Sequence, residues 1–198
     1  LMSGTTTFSD MYFYPTIVTK TANALGMRAQ ITFPILEFPS TWANDASAYI
    51  DQGLALFDDY KYNDQITIGF GPHAPYTVSD KTFERVVMLA EEVDAPIQLH
   101  LHETEQEVLE STEQFSTTPI QRLAKLGVLS PRAQAVHVTQ LSASDHEILA
   151  QSGASVIHCP TSNMKLASGY CDIVAINQTG MRLGFGTDGA ASNNTLNM

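Results

Sequence analysis

Residues 97–108 read IQLHLHETEQEV, an alternating apolar run that carries two histidines and breaks off into carboxylates. The alternation is that of a strand, which places His100 and His102 on one face and lets the turn at its end bring Glu103 round towards them. What the other strands of the chain end in decides the architecture.

Working outward, the same alternation of strand and helix recurs. TTTFSDMYF is β-rich, and PTIVTKTANALG carries a helical stripe of Ile17, Ala24 and Leu25 that stops at Gly26. RAQITFPIL and QITIGFG follow as strands, with DASAYIDQGLALFDDY and SDKTFERVVMLAEEV as helices, the second capped by Ser79 or Asp80. Beyond PIQLHLH come a helix around PIQRLAKLG, the strand AQAVHV, the helix SASDHEILAQSG, and the strands SVIHCP and RLGFGTDG. Seven strands with helical or loop crossovers imply a parallel sheet. Ile66, Ile68 and Phe70, like Val156 and Ile157, keep their strands apolar on both faces, as buried parallel strands are.

A doubly wound open sheet and a (β/α)8 barrel both fit that order. No GxGxxG follows the first strand and no GxxxxGK[ST] occurs, which counts against the nucleotide-binding open sheets. His73, His100, His102, His137, His158 and Asp188 each lie at or just past the C-terminal end of a predicted strand. In a barrel those ends share one face, where catalytic groups from several strands meet. The pattern therefore predicts a TIM-type (β/α)8 barrel, one domain over residues 1–198.

Composition narrows the partners. Hydrophobic residues make up 43% and charged residues 16% of the 198, the balance of an ordinary cored domain. A net charge of −11 argues against nucleic acid and anionic membrane surfaces, which are bound by clustered Lys and Arg. No run of about 18 apolar residues appears, so no membrane span is expected. Cys159 and Cys171 form no CxxC and no secreted-type framework, which points to two reduced thiols in a cytoplasmic protein.

The strand-end residues suit metal-assisted hydrolysis. Divalent ions such as zinc take imidazole nitrogens and carboxylate oxygens and leave a position for water, whose pKa then falls to roughly 7. A nearby carboxylate outside the ligand set can take the water's proton and return it to a leaving group. HLHE supplies such a set, with GTDG after the last strand offering Asp188. His146, within a helix beside Glu147, reads as structural; His158, before Cys159 and Pro160, suits structure or substrate contact equally.

GTTTFSDMYF, GFGPHAPYTVS, HLHETEQEV, VHVTQL, HCPTSNMKLASG and GTDGAASNNTLNM occur in this order and resemble the chlorohydrolase and deaminase branch of the amidohydrolase superfamily. Within it they are most similar to the 5-methylthioadenosine/S-adenosylhomocysteine deaminases. The resemblance implies a divalent metal, zinc or alternatively iron(II), with His100 and Asp188 as ligands and His102 as a variable neighbour. It implies Glu103 as general acid/base, His137 as the group that orients the attacking water, Asp188 as a second catalytic carboxylate, and His73 as a substrate contact.

The same resemblance implies an H-x-H strand carrying two further ligands, a ribose-gripping glutamate and a small β-sandwich, none of which falls within residues 1–198. The chain accordingly reads as strands two to eight of an incomplete barrel, and the 198 residues alone are expected to be marginally stable, metal-poor and inactive. The implied function is hydrolytic deamination of an adenosine-type thionucleoside, a small-molecule substrate, in an enzyme that can form homo-oligomers. Guanine or cytosine deamination, triazine hydrolysis and a non-catalytic binding relative are the alternatives. Met164 and Leu166 could offer a soft apolar surface to a thioether, or equally anchor a loop.

Overall fold

The structure, a computed structural model, describes residues 4–197. Leu1, read as leading into the first strand, and Met198, the last residue of GTDGAASNNTLNM, lie outside the described residues. Seven strands are present among them: β1 (Thr7–Asp10), β2 (Arg28–Ile35), β3 (Ile66–Pro72), β4 (Ile97–Leu101), β5 (Ala133–His137), β6 (Ser155–His158) and β7 (Arg182–Phe185). They are ordered in the sheet as they are in the chain, and β1–β2, β2–β3, β3–β4, β5–β6 and β6–β7 pair in parallel. A doubly wound sheet reverses its strand order at a switch point; this order never reverses. The fold class is that of an incomplete (β/α)8 barrel, as the strand-end residues predict.

Eight helices cross between the strands among the described residues: α1 (Pro15–Ala24), α2 (Ala46–Tyr60), α3 (Asp80–Glu92), α4 (Glu105–Phe115), α5 (Pro119–Lys125), α6 (Ala143–Ser152), α7 (Pro160–Leu166) and α8 (Ile173–Gln178). Six start on a side chain that accepts a backbone N–H three residues on: Asp45, Ser79, Thr104, Thr118, Ser142 and Asp172. Each such cap satisfies one of the donors that a helix start leaves unpaired. Ser79, rather than Asp80, caps α3. The helices α4, α7 and α8 are not among the sequence-based expectations.

The chain divides into two compact units, one holding the residues up to His73 together with Thr77–Gln98, the other Ala74–Tyr76 and the residues from Leu99 onward. The first is built on apolar contact. Phe33 of β2 and Phe70 of β3 meet edge to face with centroids 4.9 Å apart, a favoured aromatic geometry. Ile31, Ile35, Tyr49 and Ile50 are fully buried around them. Gly53 lets α2 lie directly on the Phe33 ring, because a Cβ there would overlap it. The second unit has apolar strands too, with Leu99, Leu101, Ala135 and Val156 buried, but its strand ends are polar.

Candidate active site

Strand β4 buries Ile97, Leu99 and Leu101 and leaves Gln98 and His100 on the opposite face. The strand stops at Leu101, and His102 turns into the left-handed region with φ 52°. That one backbone angle overturns the expectation that His100 and His102 share a face. The His102 ring is fully buried; its Nδ1 lies 2.5 Å from the Gln140 carbonyl and its Nε2 accepts the Ile120 N–H at 3.1 Å. Nδ1 therefore carries the hydrogen, and burial holds the ring below the usual histidine pKa. His102 ties the end of β4 to the first turn of α5 and to the segment after β5.

The carboxylates that follow open α4. Thr104 accepts the Glu107 N–H, and the Glu107 carboxylate reaches back to accept the amides of His102 at 2.9 Å and Glu103 at 2.8 Å, a variant of the capping box. Burial is the largest influence on Glu107 and pushes its pKa up to about 7, against the pull of the two amides.

Glu103 stands on this turn with its backbone carbonyl held by Thr139 Oγ1 at 2.7 Å. Its Oε1 accepts Ser168 Oγ–H at 3.2 Å, and its Oε2 lies 3.6 Å from His137 Nε2. His137 ends β5 with φ 79°, and Val138 follows at φ 49°. Consecutive left-handed residues without glycine cost of order 1–3 kcal/mol each and cluster at functional sites. Here they are held by the bonds Val138 N–H to Leu101 O and Thr139 N–H to His102 O.

The His137 ring is 1% exposed and stacks on His100 with centroids 5.5 Å apart and a 20° interplanar angle. Its Nδ1 faces Asn163 Nδ2 at 3.0 Å. Burial holds its pKa below the ordinary value, outweighing the nearby Glu103.

Asp188 lies past β7, also left-handed at φ 58°. Its Oδ2 accepts Ser162 Oγ–H at 2.5 Å and Ser192 Oγ–H at 3.2 Å, and its Oδ1 accepts the Gly189 N–H at 2.6 Å. Partial burial raises its pKa, but these bonds and the His137 ring bring it below the usual carboxylate range. The fully buried Ser162 and the 1% exposed Asn163 both come from α7, read from sequence only as a loop. Serine 168 follows α7, and Gly169 (φ 129°) leaves no room for a Cβ against Gln140 and Thr139. Cys159, ahead of α7, is buried with its thiol pushed up to about 12, and Cys171 is buried with its thiol at about 11.

His73 belongs to the first unit, where its N–H donates to Ile35 O and its Nδ1 lies 2.9 Å from Thr77 Oγ1. His158 is buried in β6, below the ordinary histidine pKa because of that burial. Met164 and Leu166 are 57% and 56% exposed, so neither anchors a loop.

His100, Glu103, His137 and Asp188 thus belong to one unit: the first three in direct proximity, Asp188 through α7, whose Ser162 bonds it while the adjacent Asn163 meets His137. The imidazole of His100 and the carboxylate of Asp188 are the donor types that zinc and iron(II) take. Among the described residues no three His, Cys, Asp or Glu side chains are gathered to hold an ion.

A sequence model described as the amidohydrolase family matches residues 1–198. The chain is similar to a 5-methylthioadenosine/S-adenosylhomocysteine deaminase of Saccharophagus degradans, at 53% identity over 198 residues that make up all of this chain and 44% of that protein. It is similar in structure to an adenosine deaminase of Xanthomonas campestris with bound zinc: TM-score 0.96, 43% identity, 98% of this chain and 44% of that one. A zinc complex of an atrazine chlorohydrolase from Arthrobacter aurescens TC1, at 22% identity, shares the fold with a TM-score of 0.91 over 99% of this chain and 48% of that one. The chain spans about half the length of the proteins it matches.

Proposed function

Because the chain belongs to the amidohydrolase family, we propose that its second unit supplies the acid/base half of a metal-dependent site that hydrolytically deaminates an adenosine-type nucleoside. The observation that carries the reading is the placement of Glu103: one carboxylate oxygen is fixed by Ser168 and the other is turned to the buried ring of His137. A carboxylate held in that way can take a proton from water and return it to a leaving nitrogen.

His100 and Asp188 would hold the ion, with the remaining donors coming from the H-x-H strand that the family resemblance implies. A divalent ion held there lowers the pKa of water to roughly 7. Asp188, kept in its anionic form by Ser162, Ser192 and the Gly189 amide, accepts hydrogen from the same water. His137 offers its Nε2 edge beside Glu103, where charge develops as the oxygen adds to the amine-bearing ring carbon. Glu103 would carry the first of the water's two protons to the ring nitrogen as the oxygen adds and the second to the departing amine nitrogen, so that the carbonyl forms and ammonia is released. The protein named for the thionucleosides 5-methylthioadenosine and S-adenosylhomocysteine, at 53% identity, supports these as the substrates, and the half-exposed Met164 and Leu166 offer the sulfur an apolar neighbour.

The test is ammonia release by a protein of the relatives' full length carrying these residues, assayed on 5′-methylthioadenosine, S-adenosylhomocysteine, adenine, guanine, cytosine and a chlorinated triazine. Preference for the two thionucleosides is expected. Preference for a free base or the triazine would overturn the substrate class, and no release from any of them would overturn the reaction.

A further inference from the structure

The ring of His137 has two edges, and the site above uses only one. An imidazole nitrogen that accepts a hydrogen bond presents a lone pair, and the ring's hydrogen then stands on the other nitrogen. Nε2 lies 3.6 Å from Glu103 Oε2; a lone pair there would face the lone pairs of the carboxylate, whereas an N–H is attracted to them. With the hydrogen on Nε2, the lone pair falls to Nδ1, and only a donor can satisfy it in a buried position.

Asn163 supplies that donor. It is 1% exposed and sets its Nδ2 3.0 Å from His137 Nδ1. Its own peptide is anchored on both sides, since its N–H donates to Cys159 O and its carbonyl accepts the Ser168 N–H. Its Oδ1, by contrast, meets no donor among the described residues. Turning the amide over would place Oδ1 against Nδ1, force the hydrogen onto Nδ1, and leave a bare Nε2 facing the carboxylate. The asparagine is held here for its nitrogen.

We propose that Asn163 is a positioning residue that fixes His137 as the Nε2–H tautomer, so that the ring presents a hydrogen, not a lone pair, to Glu103 and to the oxygen nucleophile. An aspartate at 163 could only accept, and would draw the hydrogen to Nδ1. A leucine would leave both tautomers open. The kinetic consequence rests on the deaminase reading; the tautomer itself does not.

The experiment is 15N NMR of histidine-labelled full-length enzyme, wild type and Asn163→Asp, together with steady-state ammonia release. The expected results are an Nε2–H ring for His137 in the wild type, a shift to Nδ1–H in Asn163→Asp, and a fall in kcat of about 10²–10⁴-fold, the scale of a misdirected acid/base group, with KM little changed. An Nδ1–H ring in the wild type would overturn the proposal, and that spectrum needs no variant to fold. An unchanged Nε2–H ring in a folded Asn163→Asp variant would also overturn it. A wild-type enzyme with the Nε2–H ring that released no ammonia would defeat the deaminase reading and leave the tautomer assignment standing.

Discussion

Strands β2 and β5 are repeats of the same strand-and-crossover unit, and they finish in opposite ways. Strand β2 runs for eight residues, is buried without a break from Ile31 to Ile35, and passes into buried Leu36. Strand β5 runs for five and ends on His137 in a left-handed turn, surrounded by Glu103, His100 and Asn163. A strand end made of hydrocarbon is stabilised by area and shape alone. A polar strand end needs a partner for each buried donor and acceptor, and Asn163, Ser168, Ser162 and Thr139 are gathered in the second unit for that purpose. One unit shows what the fold needs to exist, and the other what it can be made to carry.

That contrast predicts separable failures in a full-length protein carrying these residues. Glu103→Gln should lower kcat by about 10²–10⁴-fold while its thermal unfolding midpoint stays near that of the wild type; near-normal ammonia release would remove Glu103 from the chemistry. Phe33→Ala should do the reverse. Losing a fully buried ring that packs on Phe70 costs about 3–5 kcal/mol of stability, read by urea unfolding, with turnover per folded molecule unchanged. If turnover fell in step with stability, the two units would not be energetically separate in the way the strand ends suggest.

A smaller effect distinguishes the units by pH. Folding raises the Glu107 pKa from 4.5 to about 7. Between those values the native state keeps a proton that the unfolded chain has released, so the contribution of Glu107 to stability is fully present below 4.5 and is lost as pH rises towards 7. Glu107→Gln should flatten the slope of the melting midpoint across that window. Equal slopes for variant and wild type would show that the Glu107 carboxyl titrates normally in the fold. Ser142→Ala should be the mildest of these changes, removing the cap of α6 for about 1 kcal/mol with no effect on turnover. A loss of activity there would mean that the α6 start bears on the site.

The order of strands was legible because each apolar run is short, β-rich and closed by a turn residue, and the barrel order followed from where histidines and Asp188 interrupt those runs. The helix α4 had a signal that reads differently in isolation: Thr104 and Glu107 stand at capping-box spacing, but the segment EQEVLESTEQF is too poor in apolar residues to show a stripe. Helices α7 and α8, seven and six residues long, are too short for periodicity to register. Ser162, Asn163 and Ser168 were missed as partners because uncharged polar residues in PTSNMKLASG resemble any loop until burial is known. His102 misled for another reason: period-two reasoning holds only while the backbone stays extended, and its left-handed φ ends that condition one residue after β4.

The two thiols supply a clock already built into the chain. Alkylating reagents attack the thiolate, and both cysteines are buried with their acidity suppressed, to about 12 at Cys159 and about 11 at Cys171. In the closed fold at neutral pH they are shielded twice over, once by the surrounding atoms and once by their protonation. Their labelling rate therefore counts excursions of the local structure rather than encounters with reagent. Because Cys159 sits at the entrance to the helix that bears Ser162 and Asn163, a mass-resolved time course at that one sulfur would measure how often the scaffold behind His137 and Asp188 comes apart, in an unmodified sequence.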